Sequence, residues 1–295
     1  MIRKIESSDK KEVLQISSQI WEGEDYITDI FDEWVKGESG IFAGYWEDNK
    51  LIGFGRMQFL TSTDVWLEAL RKDPQTKIKG VGYKIALYYL EQLKGKKIDS
   101  VRFSTYFGNI ASIKLNENLG FNKVLTLSLK ELKLLNNTNN QLSSKLTNNI
   151  KFNEIENYIS NSSYLRGTEN FIANGWVVQE YSQQRIKAIM EKGDYTAYLD
   201  NTKINGTVLY TKDVYRKILW INIIEADNEF IFKELINFTI NAAIKENCDR
   251  IQVLIPDVLK LMNLIDYAGF TSWEQNNDFL LYEMPKQLIN KILEV

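Results

Sequence analysis

Residues 66–90, WLEALRKDPQTKIKGVGYKIALYYL, contain a strand, a turn, a glycine loop and a helix in direct succession. The apolar and aromatic residues at the start predict a strand over 65–71, and Pro74 ends it because proline has no N–H to donate to a sheet. A helix follows, since apolar side chains recur there at helical spacing, and Gly95 terminates it. Its apolar face carries Ala86, Tyr89, Leu90 and Leu93.

The loop between this strand and this helix reads Lys77-x-x-Gly80-x-Gly82. Glycines let a ligand approach the backbone closely, and a helix N-terminus offers N–H groups together with the positive end of its dipole. Lys77 and Lys79 add positive charge. We therefore predict that the loop binds a pyrophosphate, although a tight strand-to-helix turn can require glycines for conformational reasons alone.

Further elements are predicted on both sides of this stretch. They comprise a first strand, a first helix, a β-hairpin, one more strand and a short helix closed by Gly120. In chain order they are the strand 2–5, the helix that carries Val13, Ile16 and Ile20, the hairpin arms 41–46 and 51–59, the strand 101–105 and the short helix 111–119.

The length of 295 residues favours two domains. Residues 134–149, LLNNTNNQLSSKLTNN, are rich in Asn, Ser and Thr and show little aliphatic periodicity. We interpret them as a linker between a first domain, 1–133, and a second domain, 150–295. A surface insertion within one domain is the alternative.

The order of elements recurs after the linker. Gly40 opens a segment that is echoed at Gly193, Trp66 is echoed by Trp220, and Gly120-Phe121 by Gly269-Phe270, in each case about 150 residues later. The second half has no glycine between Gly206 and Gly269, so it lacks a counterpart of the loop. We therefore predict a repeat of one fold without its anion site. Chance resemblance between two α/β units is the alternative.

Composition excludes several classes of function. Hydrophobic residues make up 44% and charged residues 25%, the balance of a soluble globular protein. The net charge of −3, with both signs interspersed, argues against a nucleic-acid partner. No apolar stretch approaches the ~20 residues that cross a bilayer, and no signal peptide opens the chain, so we predict a cytoplasmic protein without a membrane partner.

Histidine is absent from the sequence, and there is one cysteine. Catalysis by an imidazole base, a Ser-His-Asp triad or a histidine-ligated zinc is thereby excluded, and we predict no metal site. Cys248 stands beside an apolar run and is interpreted as a buried filler. Any proton must move through Glu, Asp, Tyr, Lys or water.

The segment 66–90 resembles motif A of the GNAT superfamily of N-acetyltransferases, whose loop reads Q/R-x-x-G-x-G/A after a strand that ends in proline. Asn109, Ser112 and Gly120-Phe121 stand at the spacing of motif B in the same superfamily. The resemblance covers residues 1 to roughly 130, and the remainder is similar to the degenerate copy of tandem members. It implies an α/β (α+β) fold of two GNAT-like domains, each with a mixed, mostly antiparallel sheet flanked by helices.

The resemblance also implies acetyl-CoA as cosubstrate, held by the strand end, the loop and the start of the motif B helix. Lys77 replaces the usual Arg or Gln, and Ile78 stands where glycine is frequent, but neither change removes backbone donors. The cofactor-binding residues would be Leu70, Arg71, Lys72, Lys77, Ile78, Lys79, Gly80, Val81, Gly82, Asn109 and Ser112.

Two catalytic candidates follow. Glu68 is the predicted base that takes a proton from the incoming amine, because a carboxylate among Trp66, Leu67 and Leu70 would be poorly hydrated; a solvated strand face is the alternative. Asn116 occupies the position where many members carry a tyrosine that protonates the CoA thiolate, so that role does not transfer. Tyr106 is a candidate substitute, or a packing residue.

The implied reaction is direct transfer of acetyl to a primary amine of an amino acid, a peptide N-terminus or another small molecule. Four acidic residues near the second helix would attract the amine in its protonated, cationic form. The alternative is that they only stabilise the helix by interacting with the positive end of its dipole. They are Glu22, Glu24, Asp25 and Asp29. A non-catalytic acetyl-CoA sensor is the alternative function, and the oligomeric state stays open.

Overall fold

The computed structural model describes residues 1–23, 25–134 and 140–293. The chain forms two compact units. The first unit comprises Met1–Thr105, Asn109–Val124 and Leu281–Val295, and the second comprises Tyr106–Gly108 and Leu125–Leu280.

The first unit begins with five strands and four helices. The strands are β1 (Ile2–Lys4), β2 (Gly40–Glu47), β3 (Lys50–Phe59), β4 (Asp64–Lys72) and β5 (Ser100–Tyr106). The helices are α1 (Lys10–Ser17), α2 (Ile27–Lys36), α3 (Val81–Glu91) and α4 (Ile110–Asn118). Each predicted element of this region is present, although α1 ends before Ile20.

Strands β1 to β4 pair antiparallel in order, and β5 pairs with β4 in parallel. The hairpin between β2 and β3 closes through Asp48 and Asn49, both left-handed, which suits the twist of a two-residue turn. One core lies between the sheet and the helices α1 and α2, where Phe31 and Trp34 pack edge-on against Phe42.

The pairing of β4 with β5 is short. It runs over three residue pairs, from Asp64 opposite Ser100 to Trp66 opposite Arg102. Beyond Trp66 the two strands continue without pairing, so the sheet opens on the side of the carboxyl ends. Parallel strands that separate in this way leave a crevice, which is a common position for a ligand site.

The second unit repeats this arrangement. Its strands are β6 (Asn122–Lys133), β7 (Leu146–Thr147), β8 (Phe171–Asn174), β9 (Val177–Glu180), β10 (Tyr195–Asp200), β11 (Lys203–Asp213), β12 (Ile218–Ala226), β13 (Arg250–Ile255) and β14 (Thr271–Ser272). Its helices are α5 (Phe152–Ser160), α6 (Ser163–Gly167), α7 (Gln183–Glu191), α8 (Glu229–Lys245) and α9 (Leu259–Tyr267).

The predicted repeat is confirmed by the strand directions. The order β6-β13-β12-β11-β10-β7 is antiparallel except for β12 and β13, which are parallel. Strands β10, β11, β12 and β13 thus match β2, β3, β4 and β5, and helices α8 and α9 match α3 and α4. Trp66 lies in β4 and Trp220 in β12, as the sequence offset requires. Both units therefore have the predicted mixed, mostly antiparallel sheet.

The domain bounds differ from the predicted ones. Residues 135–139 of the predicted linker lie outside the described residues, and the described part of it belongs to the second unit. Asn140 exchanges two hydrogen bonds with Asn241 of α8, and β7 pairs with β10. A polar segment can be ordered in this way because its backbone groups find partners on neighbouring elements.

The C-terminal segment returns to the first unit. It contains the end of β15 (Phe279–Glu283) and α10 (Lys286–Leu293). The Met284 N–H donates to the Val101 carbonyl at 2.9 Å, and Glu283 pairs with Arg102 of β5. Tyr282 stacks on Phe103 with ring centroids 5.1 Å apart. The first unit is therefore built from both ends of the chain.

Candidate active site

The crevice between β4 and β5 contains a cavity of about 420 Å3 in the first unit. Its walls are the separated strand ends, the N-terminal turn of α3 and one face of α4. The predicted residues among its lining are Glu68, Leu70, Arg71, Lys72, Gly80, Val81, Gly82, Asn109 and Ser112. The structure thus gathers into one cavity residues that the sequence places on one strand and at the starts of two helices.

A β-bulge shapes the β4 wall. Arg56 lies opposite Glu68 and Phe54 lies opposite Arg71, so two residues of β4 face the single residue Gly55 of β3. Ala69 takes a left-handed conformation there, with φ of 56°. A bulge leaves backbone groups outside the ladder. The bulge lies in the cavity wall, where those groups become available to a ligand.

The turn after β4 is fixed by Asp73. Its buried carboxylate accepts hydrogen bonds from the Lys50 ammonium at 2.7 Å and from the Gln75 N–H at 2.9 Å. Burial acts to raise the pKa of Asp73, but these hydrogen bonds outweigh burial and hold it below the ordinary 3.8. Asp73 therefore stays ionised and directs the chain from the strand into the glycine loop.

Helix α3 begins at the cavity without a side-chain cap. Gly80 is the N-cap residue, with φ of 74°, a left-handed conformation that glycine adopts without steric cost. The N–H groups of the first helical turn have no carbonyl acceptor within the helix. Helix α3 forms here because Val81, Ile85, Ala86, Tyr89 and Leu90 recur at helical spacing and are buried.

Gly82 brings α3 close to both other walls. A Cβ atom at this position would lie 3.0 Å from a methyl group of Leu115 on α4 and 3.2 Å from one of Leu70 on β4. Both neighbours line the cavity. A side chain at Gly82 would therefore push α3 away from α4 and β4, so glycine allows these three walls of the crevice to lie close together.

Helix α4 supplies polar groups. The Asn109 side chain caps it by accepting the Ser112 N–H at 3.3 Å. Asn116, in the position of the family's tyrosine, is buried and donates to the Ser112 carbonyl at 2.9 Å. Tyr89 also lines the cavity, but burial raises its pKa above the ordinary value, so its hydroxyl stays neutral.

Glu68 is paired with a residue that the sequence analysis missed. The Arg56 guanidinium, opposite it on β3, donates to the Glu68 carboxylate at 2.5 Å. The two side chains are 9% and 16% exposed, and both residues line the cavity. The Arg56 guanidinium also lies over the Trp34 ring, with its central carbon 4.5 Å from the ring centre. Glu68 is therefore a positioned, poorly hydrated carboxylate rather than part of a solvated strand face.

Arg71 corrects one expectation about the acidic residues. Its guanidinium binds the Asp25 carboxylate through two hydrogen bonds of 3.1 Å, and Asp25 is fully buried. Asp25 therefore serves as the partner of Arg71 and does not attract an amine. Because the Arg71 side chain is held in this ion pair with Asp25, it is the backbone of Arg71 that we expect to contact a ligand in the cavity.

The remaining predicted residues are distributed as follows. Lys77 and Lys79 are exposed in the loop before Gly80, and Ile78 between them is half-buried. None of the three lines the cavity. Tyr106 belongs to the second unit, where its ring packs edge-on against Trp273 at 5.9 Å. Glu22 and Asp29 are exposed, and Glu24 lies outside the described residues.

The second unit fills the equivalent crevice with its own chain. Strands β12 and β13 pair only as far as Ile221 opposite Val253. Beyond that point Tyr164 of α6, which is fully buried, donates its hydroxyl hydrogen to the Leu254 carbonyl at 2.8 Å. The Asn228 side chain caps α8 by accepting the Ile231 N–H at 3.0 Å. One N–H group of this helix end is therefore already bound by a side-chain cap, which the start of α3 lacks.

Residues 6–121 match the model of the Acetyltransferase (GNAT) family. The matched segment is the part of the chain that carries the cavity. No curated protein matches the chain in sequence.

Solved structures extend the likeness to the whole chain. A GCN5-related N-acetyltransferase from Sphaerobacter thermophilus has a TM-score of 0.66 at 11% identity, with 96% of this chain and 94% of that chain covered. A tandem GNAT protein from the clavulanic acid biosynthesis pathway has a TM-score of 0.58 at 8% identity, with 96% and 97% covered. These likenesses concern the fold, and they confirm a tandem arrangement of two GNAT-like domains.

The described ranges contain neither a candidate membrane span nor a candidate metal site. No helix within 1–23, 25–134 or 140–293 has the length and apolar character needed to cross a membrane. In the same ranges no group of three or more Cys, Asp and Glu side chains is placed to hold a metal ion.

Proposed function

We propose that the protein is an acetyl-CoA-dependent N-acetyltransferase that transfers acetyl directly to a primary amine of an amino acid, a peptide N-terminus or another small molecule. The observation that carries this proposal is the single cavity that joins the uncapped start of α3 to the carboxylate of Glu68. One end suits an anion and the other suits proton removal, which are the two requirements of this reaction.

The residues present fit acetyl-CoA. The first-turn N–H groups of α3, with the helix dipole, suit a pyrophosphate, and Gly80 borders open space, since a Cβ atom there would meet no atom within 4 Å. The backbone of β4 around the Ala69 bulge offers hydrogen-bonding groups for an extended amide chain. When bound, acetyl-CoA supplies the thioester as an activated acyl group.

Glu68 would act as the base. Primary amines are largely protonated at neutral pH, so a proton must leave before nitrogen can attack a carbonyl carbon. The Glu68 carboxylate accepts that proton, directly or through one water molecule, and passes it to solvent. Arg56 holds the carboxylate in one orientation, which reduces the cost of ordering it at the moment of reaction.

The proposal is tested by incubating purified protein with acetyl-CoA and a panel of primary amines. Free thiol and acetylated amine should appear in equal amounts with at least one amine. Binding of acetyl-CoA without thiol release across the panel would instead favour the sensor function, and absence of binding would contradict both.

Glu68→Gln should lower kcat at neutral pH by roughly 10²–10⁴-fold, the usual contribution of a general base. The Kd of acetyl-CoA should change by less than about threefold, because Gln keeps the size of the side chain and the loop is untouched. The measurements are a pH–rate profile, in which the fall of the rate toward low pH should be lost in the variant because it lacks the carboxylate that is protonated there, and calorimetry with acetyl-CoA.

Glu283→Gln is the matched control. Glu283 also pairs with a buried arginine of a neighbouring strand in the first unit, Arg102, but it does not line the cavity. The free energy of unfolding should fall by a similar amount in both variants, whereas kcat should fall only in the Glu68 variant. Equal turnover in the two variants, with the wild-type pH profile, would exclude Glu68 as the base.

A further inference from the structure

The carboxylate of Glu68 lies in surroundings that oppose its negative charge. Its side chain is 16% exposed, and it shares the cavity with the apolar side chains of Ile85, Phe103 and Leu115. Removal of a carboxylate from water favours its protonated form, and a protonated carboxyl group cannot accept a proton from an amine. A base at this position therefore needs a positive charge beside it if it is to work at neutral pH.

Arg56 supplies that charge from β3. Its guanidinium donates to the Glu68 carboxylate at 2.5 Å, and its side chain is 9% exposed. Water and salt screen two charges weakly at such a separation and burial. Arginine side chains stay charged over the whole working range of pH, so the ionisation of this pair depends on the carboxyl group alone.

The Arg56 guanidinium is also held by groups other than Glu68. It donates to the Gln58 side-chain carbonyl at 3.1 Å and to the Ser39 hydroxyl at 3.4 Å, and it lies over the Trp34 ring of α2. These contacts do not depend on whether Glu68 is ionised. The cation is therefore already in position when the carboxyl group releases its proton, which is electrostatic preorganisation.

The other charged and titratable groups of the cavity are arranged differently. Within 1–23, 25–134 and 140–293 they are two cations of β4 and two tyrosines of α3: Arg71, Lys72, Tyr83 and Tyr89. Arg71 is bound to the Asp25 carboxylate, and Lys72 is exposed at the end of β4. Burial raises the pKa of Tyr89, so its hydroxyl stays neutral. We therefore assign Arg56 as the cation that acts on the base.

We propose that Arg56 is a positioning residue that keeps Glu68 ionised at neutral pH and thereby sets the lowest pH at which the protein transfers acetyl. This inference rests on the proposed function. Arg56 exchanges no proton in the reaction: one proton of the ammonium passes to the Glu68 carboxylate and from there to solvent. Arg56 acts through Glu68 by stabilising the ionised carboxylate that must be present before the transfer.

Arg56→Met keeps an apolar stem but removes the charge. At saturating amine, the pH at which kcat falls to half its maximum should move upward by about 1–3 pH units, the usual effect of an adjacent opposite charge on a carboxyl group. Above that pH, kcat should recover to within about tenfold of the wild-type value, because the carboxylate itself is retained.

Two further variants separate charge from hydrogen bonding. Arg56→Lys retains a positive charge, so the pH of half-maximal kcat should move by less than about one pH unit. Arg56→Gln retains a hydrogen-bond donor without charge, so it should behave like Arg56→Met, and it replaces that variant if the methionine protein does not fold.

Arg102→Met is the matched control. Arg102 is also a buried arginine of a strand in the first unit, paired with the Glu283 carboxylate, but it does not line the cavity. The melting temperature should fall in both methionine variants, whereas the pH profile of kcat should change only in Arg56→Met. Recovery of activity at high pH is not expected from a loss of stability alone.

Unfolding by urea gives a readout that does not depend on turnover. Without its cation the poorly hydrated Glu68 carboxyl group should have a pKa in the folded protein above the ordinary value of about 4.3. Such a group stabilises the fold fully below its ordinary pKa, and this stabilisation is lost as the pH rises through the folded-state pKa. Between roughly pH 5 and pH 8 the urea midpoint of Arg56→Met should therefore fall relative to that of Arg56→Met/Glu68→Gln, which has no carboxyl group to titrate at this position.

The outcomes distinguish the inference from the proposed function. An unchanged fall of kcat toward low pH in Arg56→Met, with that fall abolished in Glu68→Gln, would overturn the inference and leave the proposed function standing. Persistence of the fall in Glu68→Gln would contradict Glu68 as the base, and the inference with it. If no amine of the panel is acetylated, the urea measurement decides, and the same pH dependence in the single and double variants would overturn the inference.

Discussion

Gly80→Asp is expected to weaken acetyl-CoA binding by about 100-fold, which corresponds to about 2.8 kcal/mol at about 1.4 kcal/mol per factor of ten. Gly80 is the N-cap of α3 and lines the cavity. A carboxylate there repels an anionic ligand and also competes for the N–H groups of the first turn, as aspartate does at helix N-termini. Isothermal calorimetry on the purified chain measures the change.

Gly95→Asp provides a closely matched control. Gly95 has φ of 72° against 74° for Gly80, and an added Cβ at either position meets nothing within 4 Å. The two variants therefore introduce the same charge with the same backbone strain, but Gly95 does not line the cavity. Equal affinity in the two variants would exclude the start of α3 as the pyrophosphate site.

The same titration tests the second unit. Its crevice is filled by Tyr164, and its helix α8 is capped by Asn228. Wild-type protein should therefore bind one acetyl-CoA per chain, and Gly80→Asp should leave no residual tight site. A second site of similar affinity would contradict this account of the second unit.

A chain that ends at Leu280 should lose the folded first unit, and with it acetyl-CoA binding, although every residue that lines the cavity is retained. The truncation removes four buried apolar side chains, at about 1.5–3 kcal/mol each. They are Leu281, Tyr282, Met284 and Ile289. Their sum is comparable to the whole stability of a typical domain, about 5–15 kcal/mol.

The truncation also removes polar partners of the first unit. Arg102, which is buried in β5, loses the Glu283 carboxylate, and the Lys286 hydrogen bond to the Ile98 carbonyl disappears. Losing one side of a buried ion pair typically costs about 3–5 kcal/mol. Urea unfolding followed by tryptophan fluorescence, together with calorimetry, measures both effects.

A chain that ends at Lys291 is the control for this truncation. It retains β15 and the buried Ile289 of α10, so it should unfold at nearly the wild-type urea concentration and bind acetyl-CoA normally. Normal binding by the chain that ends at Leu280 would show that the first unit is stable without its C-terminal segment.

The segment 66–90 was predictable because its signals are local. Pro74 ends β4, glycines precede α3, and the buried face of α3 follows from the spacing of its apolar residues. The repeat was predictable for a related reason, since the order of short motifs survives even where side chains differ. Asn109, predicted from motif spacing, lies at the cavity as the cap of α4.

The partners of the candidate residues were not predictable. Arg56 meets Glu68 because the turn between β3 and β4 sets a register that runs unbroken from Phe59 opposite Val65 to this pair. Asp25 meets Arg71 across 46 positions of sequence. Arg56 stands as a charged residue between buried neighbours in β3, in the segment GFGRMQF, and this is a signal from which a paired site could have been predicted.

The sequence by itself determined the two repeated units, the loss of the glycine loop from the second and the group of residues around the cavity, because these depend on backbone preferences and on spacing along the chain. Only the tertiary structure decided which carboxylate is positioned and which is neutralised, that Tyr164 fills the second crevice, and that Leu281–Val295 completes the first unit. The physical reason is that burial and ion pairing are set by contacts between residues distant in sequence, and no local pattern encodes them.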